Sequence, residues 1–104
     1  VKFADKLKEY DQLISQPGNI AIWGAGAKGS TFLNLLDKKA EKVKAVIDIN
    51  PKKQHQYVGG TGHYIIKPDE LTDYGIDRVI VMNINYLEEI KAVTDPLNIT
   101  LIKL

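Results

Sequence analysis

Cysteine is absent from the 104 residues, which excludes disulfides and thiolate metal sites. Histidine is nearly absent: only His55 and His63 are present, too few for a zinc site, and both are expected in loops as ordinary loop residues. No apolar run approaches the ~18 residues a membrane span needs, so no membrane partner is expected. No signal-peptide pattern opens the chain, and with the missing cysteines this suggests a cytoplasmic location. Charge of one sign is also lacking. A net charge of +1 is too small for a nucleic-acid footprint, so no nucleic-acid partner is expected. The first residue is Val1 rather than Met, which suggests a fragment of a longer polypeptide.

What is present is a single domain's worth of sequence with 44% hydrophobic residues, enough to bury a core. Its most informative stretch is Ile20-Ala21-Ile22-Trp23-Gly24-Ala25-Gly26-Ala27-Lys28-Gly29-Ser30-Thr31. Gly24, Gly26 and Gly29 form G-x-G-x-x-G, preceded by a strand-like run and followed by a helix-like one. A second apolar run, Ala45-Val46-Ile47-Asp48, ends in an acid 19 positions after Gly29. In such a unit the amides of Ala25, Gly26, Ala27 and Lys28 can donate to a pyrophosphate at a helix N-terminus, while Asp48 can accept from a ribose. The alternative is that the glycines serve only a tight turn and close packing of helix on strand. A P-loop is excluded because Lys28 precedes Gly29 instead of following it, and Ser30 follows directly. The acid expected just before the first glycine of a methyl-donor loop is replaced by Ile22-Trp23, and no acidic cluster suits a response-regulator receiver.

Charge is unevenly spread. Between residues 24 and 60 seven lysines face Asp37, Glu41 and Asp48, whereas residues 61–104 hold four basic residues against seven acids. Lys38, Lys39, Lys42 and Lys44 read as a solvated helix end favoured by the macrodipole. Lys28, Lys52 and Lys53 are better placed for an anionic ligand.

Periodicity predicts an α/β, Rossmann-like three-layer fold with a five-stranded, mostly parallel sheet in the order 3-2-1-4-5, plus an N-terminal helix. Phe3, Leu7, Tyr10 and Ile14 share one face of a lead-in helix over 1–17, stopped by Pro17-Gly18. The Rossmann-like domain follows over 18–104. Strands are expected at 19–23, 44–48, 63–66, 78–82 and 99–103, and a helix from Lys28 to Lys38. Pro51 and Gly59-Gly60-Thr61-Gly62 forbid a long crossover helix between strands two and three, leaving a polar loop. A short helix is expected between Pro68 and Gly75. A last helix with Tyr86, Ile90, Val93 and Leu97 on one face is ended by Asp95-Pro96. Asn83 and Asn85 fall at the carboxyl end of strand four, where open α/β sheets bind ligands; helix capping accounts for them equally well. Thr31 and Asn34 either face a ligand or bond backbone carbonyls. No acid–base or nucleophile constellation stands out, so no catalytic residue is assigned.

Several stretches together resemble the C-terminal domain of SAM-dependent sugar-nucleotide C-methyltransferases: Gly24 to Asn34, then Asp48-Ile49-Asn50-Pro51-Lys52-Lys53-Gln54, Gly60-Thr61, and Lys67-Pro68-Asp69-Glu70-Leu71 through to Asn85. The resemblance implies a substrate-binding domain that holds a nucleotide-diphosphate sugar, with Lys53, Gln54, Gly60 and Thr61 closing over sugar or phosphate. It implies an upstream methyl-donor domain in cis, with S-adenosylmethionine and zinc bound by other domains and no cofactor by this one. A second similarity is to the N-terminal domain of sugar-nucleotide acetyltransferases and dehydratases. The competing expectation is an NAD(P)-binding Rossmann domain of an oxidoreductase or of a polysaccharide-biosynthesis protein, which Asp48 fits. A third is an interaction domain that keeps the fold without the ligand.

Overall fold

A computed structural model describes residues 2–103, with side chains from Asp5 onward. In chain order the elements are α1 (Lys2–Ile14), β1 (Ile20–Trp23), α2 (Ala27–Leu36), β2 (Val43–Ile47), β3 (Ile65–Ile66), β4 (Arg78–Val81), α3 (Leu87–Thr94) and β5 (Thr100–Lys103). The five strands form one sheet in the order β3-β2-β1-β4-β5, and every pairing between neighbouring strands is parallel. β1 lies between β2 and β4, with Trp23 level with Ile47 on one side and Val81 on the other.

Parallel strands covered on both faces need apolar side chains at every position. All four residues of β1 are buried. Alternation then assigns each residue to a layer. Ile20 and Ile22 pack with Ile14, Phe32, Leu33 and Val46, the layer of α1 and α2. Ala21 and Trp23 pack with Ile47, Leu71, Val81 and Ile90, the layer of α3 and the 67–76 segment. α1 joins the first layer: Ile14 is buried, and Tyr10 meets Phe32 with ring centroids 5.8 Å apart. The side chain of Phe3 lies outside the described residues. Arg78 ties the end of α1 down by donating to the carbonyls of Leu13, Gln16 and Pro17.

Four local expectations change. The strand expected at 63–66 is only Ile65–Ile66, and the helix expected after Pro68 is a single 3₁₀ turn, Pro68–Glu70. The polar loop after β2 does not hang free. Tyr57 pairs antiparallel with Tyr64, the Val58 amide donates to His63, and the Ile65 amide donates to Gln56, so the loop folds back on β3. In α3 the buried residues are Ile90 and Thr94, while Tyr86 and Leu97 fall in 3₁₀ turns at its two ends and are exposed. The Thr94 hydroxyl is satisfied by the Ile90 carbonyl at 3.0 Å, which lets a polar residue occupy the inner face.

Candidate functional site

The chain leaves β1 through Gly24, whose φ of +121° lies where only glycine is at ease. In the first turn of α2 stands Gly29, where a Cβ would drive into the Gly24 carbonyl oxygen. Gly26 differs from both. Its φ of −75° suits any residue, and a Cβ there would meet nothing within 4 Å. The missing side chain at Gly26 leaves space above the turn that the protein does not use.

Gly26 is the N-cap of α2 and supplies no side-chain cap. Among the described residues no acceptor faces the amides of Ala27, Lys28 or Gly29, as expected of an uncapped helix start. No acid occupies the first turn; the charged residue there is Lys28, of the same sign as the helix end. Asp48 follows β2 across the turn. Its Oδ2 accepts from the Ala25 amide at 3.0 Å, and its Oδ1 accepts from the Asn50 amide at 2.8 Å. Gln54 donates to the Asp48 carbonyl at 2.8 Å and so steadies the acid's backbone. Each carboxylate oxygen keeps a lone pair for an outside donor.

A cleft of about 490 Å³ opens over this turn, within the ordinary range for small-molecule sites. It crosses the carboxyl ends of β2, β1 and β4, the crevice where strand order reverses. The cleft brings together Gly24, Gly26, Ala27, Lys28, Gly29, Asp48, Lys53 and Asn83 of the sequence-selected residues. It adds Trp23, Ile49, Met82, Tyr86, Glu89 and Ile90, which the sequence reading passed over. Trp23 adjoins the first glycine, and Tyr86 and Glu89 stand three apart at the start of α3, so strand-end and helix-start positions were the available signal.

The other selected residues have different surroundings. Ala25 is engaged through its amide with Asp48. Thr31 is exposed on α2 and does not line the cleft. Asn34 donates to the Ser30 carbonyl at 2.9 Å and to the Gly59 carbonyl at 3.2 Å, clamping α2 to the loop. Gly60 lies against Asn34, with φ of +88° and no room for a side chain. Thr61 is at the opposite, amino end of the sheet, where its hydroxyl meets His63 Nδ1 at 2.6 Å. The backward fold of the loop onto β3 sets Gly60 and Thr61 apart from the cleft, which Lys53 of the same loop lines. Asn83 caps the turn before α3 by accepting from the Asn85 amide at 3.0 Å, and Asn85 is exposed outside the cleft.

His63 is also not an ordinary loop residue. It is buried, with Nε2 2.8 Å from Asp37 Oδ2. Asp37 further accepts from the amides of Glu41, Lys42 and Val43. Burial pushes the Asp37 carboxyl up, but the bonds from the Val43 amide, His63 and the two other amides outweigh this and hold it below the usual carboxylate range. This network fastens the α2–β2 corner to the loop, far from the cleft. Among the described residues no group of three His, Cys, Asp or Glu side chains is arranged to hold a metal ion. Among the described residues no helix is long and apolar enough to cross a membrane.

The family model for the N-terminal domain of C2185-like proteins matches residues 17–103. The chain belongs to this family. No curated protein matches it. Among solved structures it is similar to RSP, a Rex-family repressor, at 15% identity, covering 93% of this chain and 59% of that one, with a TM-score of 0.61. It is similar also to RSP in complex with beta-NAD+ and operator DNA, at 15% identity, covering 93% of this chain and 56% of that one, with a TM-score of 0.53. The domain therefore spans less than two thirds of these neighbours' length, and the likeness is one of fold.

These matches overturn the resemblance to the C-terminal domain of C-methyltransferases. The family is defined as an N-terminal domain, and the neighbours are repressors, so methyl transfer, S-adenosylmethionine and a nucleotide-sugar partner lose their basis. The misleading motifs serve local backbone needs. Asp48 accepts from Asn50, and Asn50 Oδ1 accepts from the Lys52 amide, an Asx arrangement open to any unrelated βαβ unit. The expectation of no nucleic-acid partner is corrected as well. The same fold occurs in a repressor solved on operator DNA, so the net charge of this domain does not exclude such a partner.

Proposed function

We propose that this domain binds a dinucleotide of the NAD class, with the pyrophosphate on the N-terminus of α2 and one ribose on Asp48. One observation carries the proposal. Unpaired helix amides, an uncapped glycine with open space above it, and a carboxylate across the turn share one cleft. An anion there would satisfy the amides, gain roughly 0.3–1 kcal/mol from the helix dipole, and neutralise Lys28 and Lys53. Asp48 keeps acceptor capacity for ribose hydroxyls and repels a 2′-phosphate, which favours NAD over NADP. The fold neighbour solved with beta-NAD+ supports the same ligand class. The domain's role in this proposal is to bind the dinucleotide.

Calorimetric titration and thermal shift of the full 104-residue chain with NAD+, NADP+ and ADP test this. NAD+ at about 100 times Kd should add ~2.7 kcal/mol of stability, a shift of several degrees. NADP+ should bind more weakly. Gly26→Val should abolish binding while Lys38→Ala, at the far end of α2, leaves it unchanged. No response to NAD+, or equal losses in the two variants, would refute the proposal.

A further inference from the structure

Trp23 is the chain's single tryptophan and only 7% exposed, packed in the layer that holds Ile47, Val81 and Ile90. Its indole Nε1–H has no acceptor among the described residues. Yet no fully enclosed side-chain nitrogen or oxygen among those residues lacks a partner. The nitrogen is therefore not fully enclosed, and Trp23 is among the residues that line the cleft. A largely buried aromatic ring whose donor is neither bonded nor enclosed, beside a cleft, is open to an acceptor from a ligand.

Sheet order says which part of a ligand would supply that acceptor. Asp48 stands at the tip of β2, and the amides of α2 stand beside the tip of β1. Trp23 ends β1 and packs in the opposite layer with Ile90, and Asn83, Tyr86 and Glu89 complete the cleft after β4. A dinucleotide with one ribose on Asp48 and its pyrophosphate on α2 must extend its second nucleoside over β4. Glu89, a carboxylate on that wall, disfavours an anion there, so the acceptor is neutral.

Building on the NAD-class assignment above, we infer that Trp23 Nε1–H donates to a neutral oxygen or ring nitrogen on the second nucleoside. Trp23 then distinguishes a dinucleotide from a mononucleotide such as ADP, which ends at the pyrophosphate.

The single tryptophan makes this directly testable, because the full chain labelled with ¹⁵N has one indole N–H resonance. Titration with NAD+ should shift that resonance and slow its exchange with water. ADP should shift the backbone amides of residues 26–29 and leave the indole where it is. Trp23→Phe, which keeps the apolar ring, should weaken NAD+ binding about fivefold, the loss of one net hydrogen bond, with ADP binding unchanged. The inference is overturned if the amides shift with NAD+ while the indole does not, or if Trp23→Phe weakens both ligands alike or neither. Should the variant fail to fold, the indole resonance of the unaltered chain decides alone. If NAD+ shifts neither amides nor indole, the NAD-class assignment itself fails and this inference with it.

Discussion

Gly26 and Gly29 sit three residues apart in one motif, yet alanine should have opposite consequences at the two. At Gly29, helix propensity alone favours alanine by about 1 kcal/mol. The structure reverses that sign. The new Cβ would collide with the Gly24 carbonyl oxygen and lie 3.3 Å from Ile22 Cδ1, and the first of these is backbone that cannot swing away. Relieving the overlap requires α2 to lift from β1, and because the obstacle is backbone the cost falls at the upper end of the overpacking range, about 2–3 kcal/mol. The net is a loss of about 1–2 kcal/mol, which lowers Tm by roughly 5–15 °C in a domain of this size. At Gly26 the balance differs. A methyl at the N-cap forfeits about 0.5–1 kcal/mol relative to glycine, while the stiffer unfolded chain returns about 0.4–1 kcal/mol. With φ at −75° and nothing within 4 Å, no strain is added, and Tm should move by less than a few degrees. The methyl nevertheless occupies the space above the helix amides, so NAD+ affinity should fall at least tenfold. Thermal unfolding by circular dichroism and calorimetric titration of both variants separate the two effects. A Gly29→Ala protein as stable as the parent, or a Gly26→Ala protein with full affinity, would refute the division between a packing glycine and a ligand-facing one.

Lys28→Ala should split stability from binding in another way: removing a cation from the positive end of α2 raises stability by about 0.3 kcal/mol, while NAD+ binding weakens and loses part of its salt dependence. Denaturant titration and binding at two salt concentrations check this, and equal or stronger affinity would count against the anion site. Asn34→Ala should cost about 1 kcal/mol through the lost clamp on Gly59, with ligand affinity unchanged; a selective loss of binding would return Asn34 to the site. Because Asp37 has a depressed carboxyl in the folded state, its contribution is complete above about pH 4 and is lost as pH falls through the lower folded value. Asp37→Asn should lower stability at pH 7 by about 2–3 kcal/mol and flatten this acid loss. Parallel pH profiles of Tm for the two proteins would contradict it.

The glycine turn and the acid at the end of β2 were legible because each is a local requirement. Gly24 needs a positive φ, Gly29 a missing Cβ, and Asp48 a strand end. Asn34 was ambiguous in sequence, because a polar residue on an apolar helix face can meet either ligand or backbone; the position of Gly59 settles it. His63 resembled an ordinary loop residue because its partner, Asp37, lies 26 positions away. The family resemblance failed for a related reason: short turn motifs report backbone geometry, and backbone geometry is shared by unrelated βαβ units.

Alternating and continuous apolar runs, with glycine and proline between them, were sufficient for the element order and the parallel 3-2-1-4-5 sheet. Those signals act over a few residues and survive without knowledge of neighbours. Only the tertiary structure decided that the 50–62 loop turns back onto β3, that Thr61, His63 and Asp37 form a strut at the amino end of the sheet, and that Trp23 lines the same cleft as Gly26 and Asp48. Each depends on which distant groups come within hydrogen-bonding or van der Waals reach after the layers close, and local periodicity holds no record of that distance.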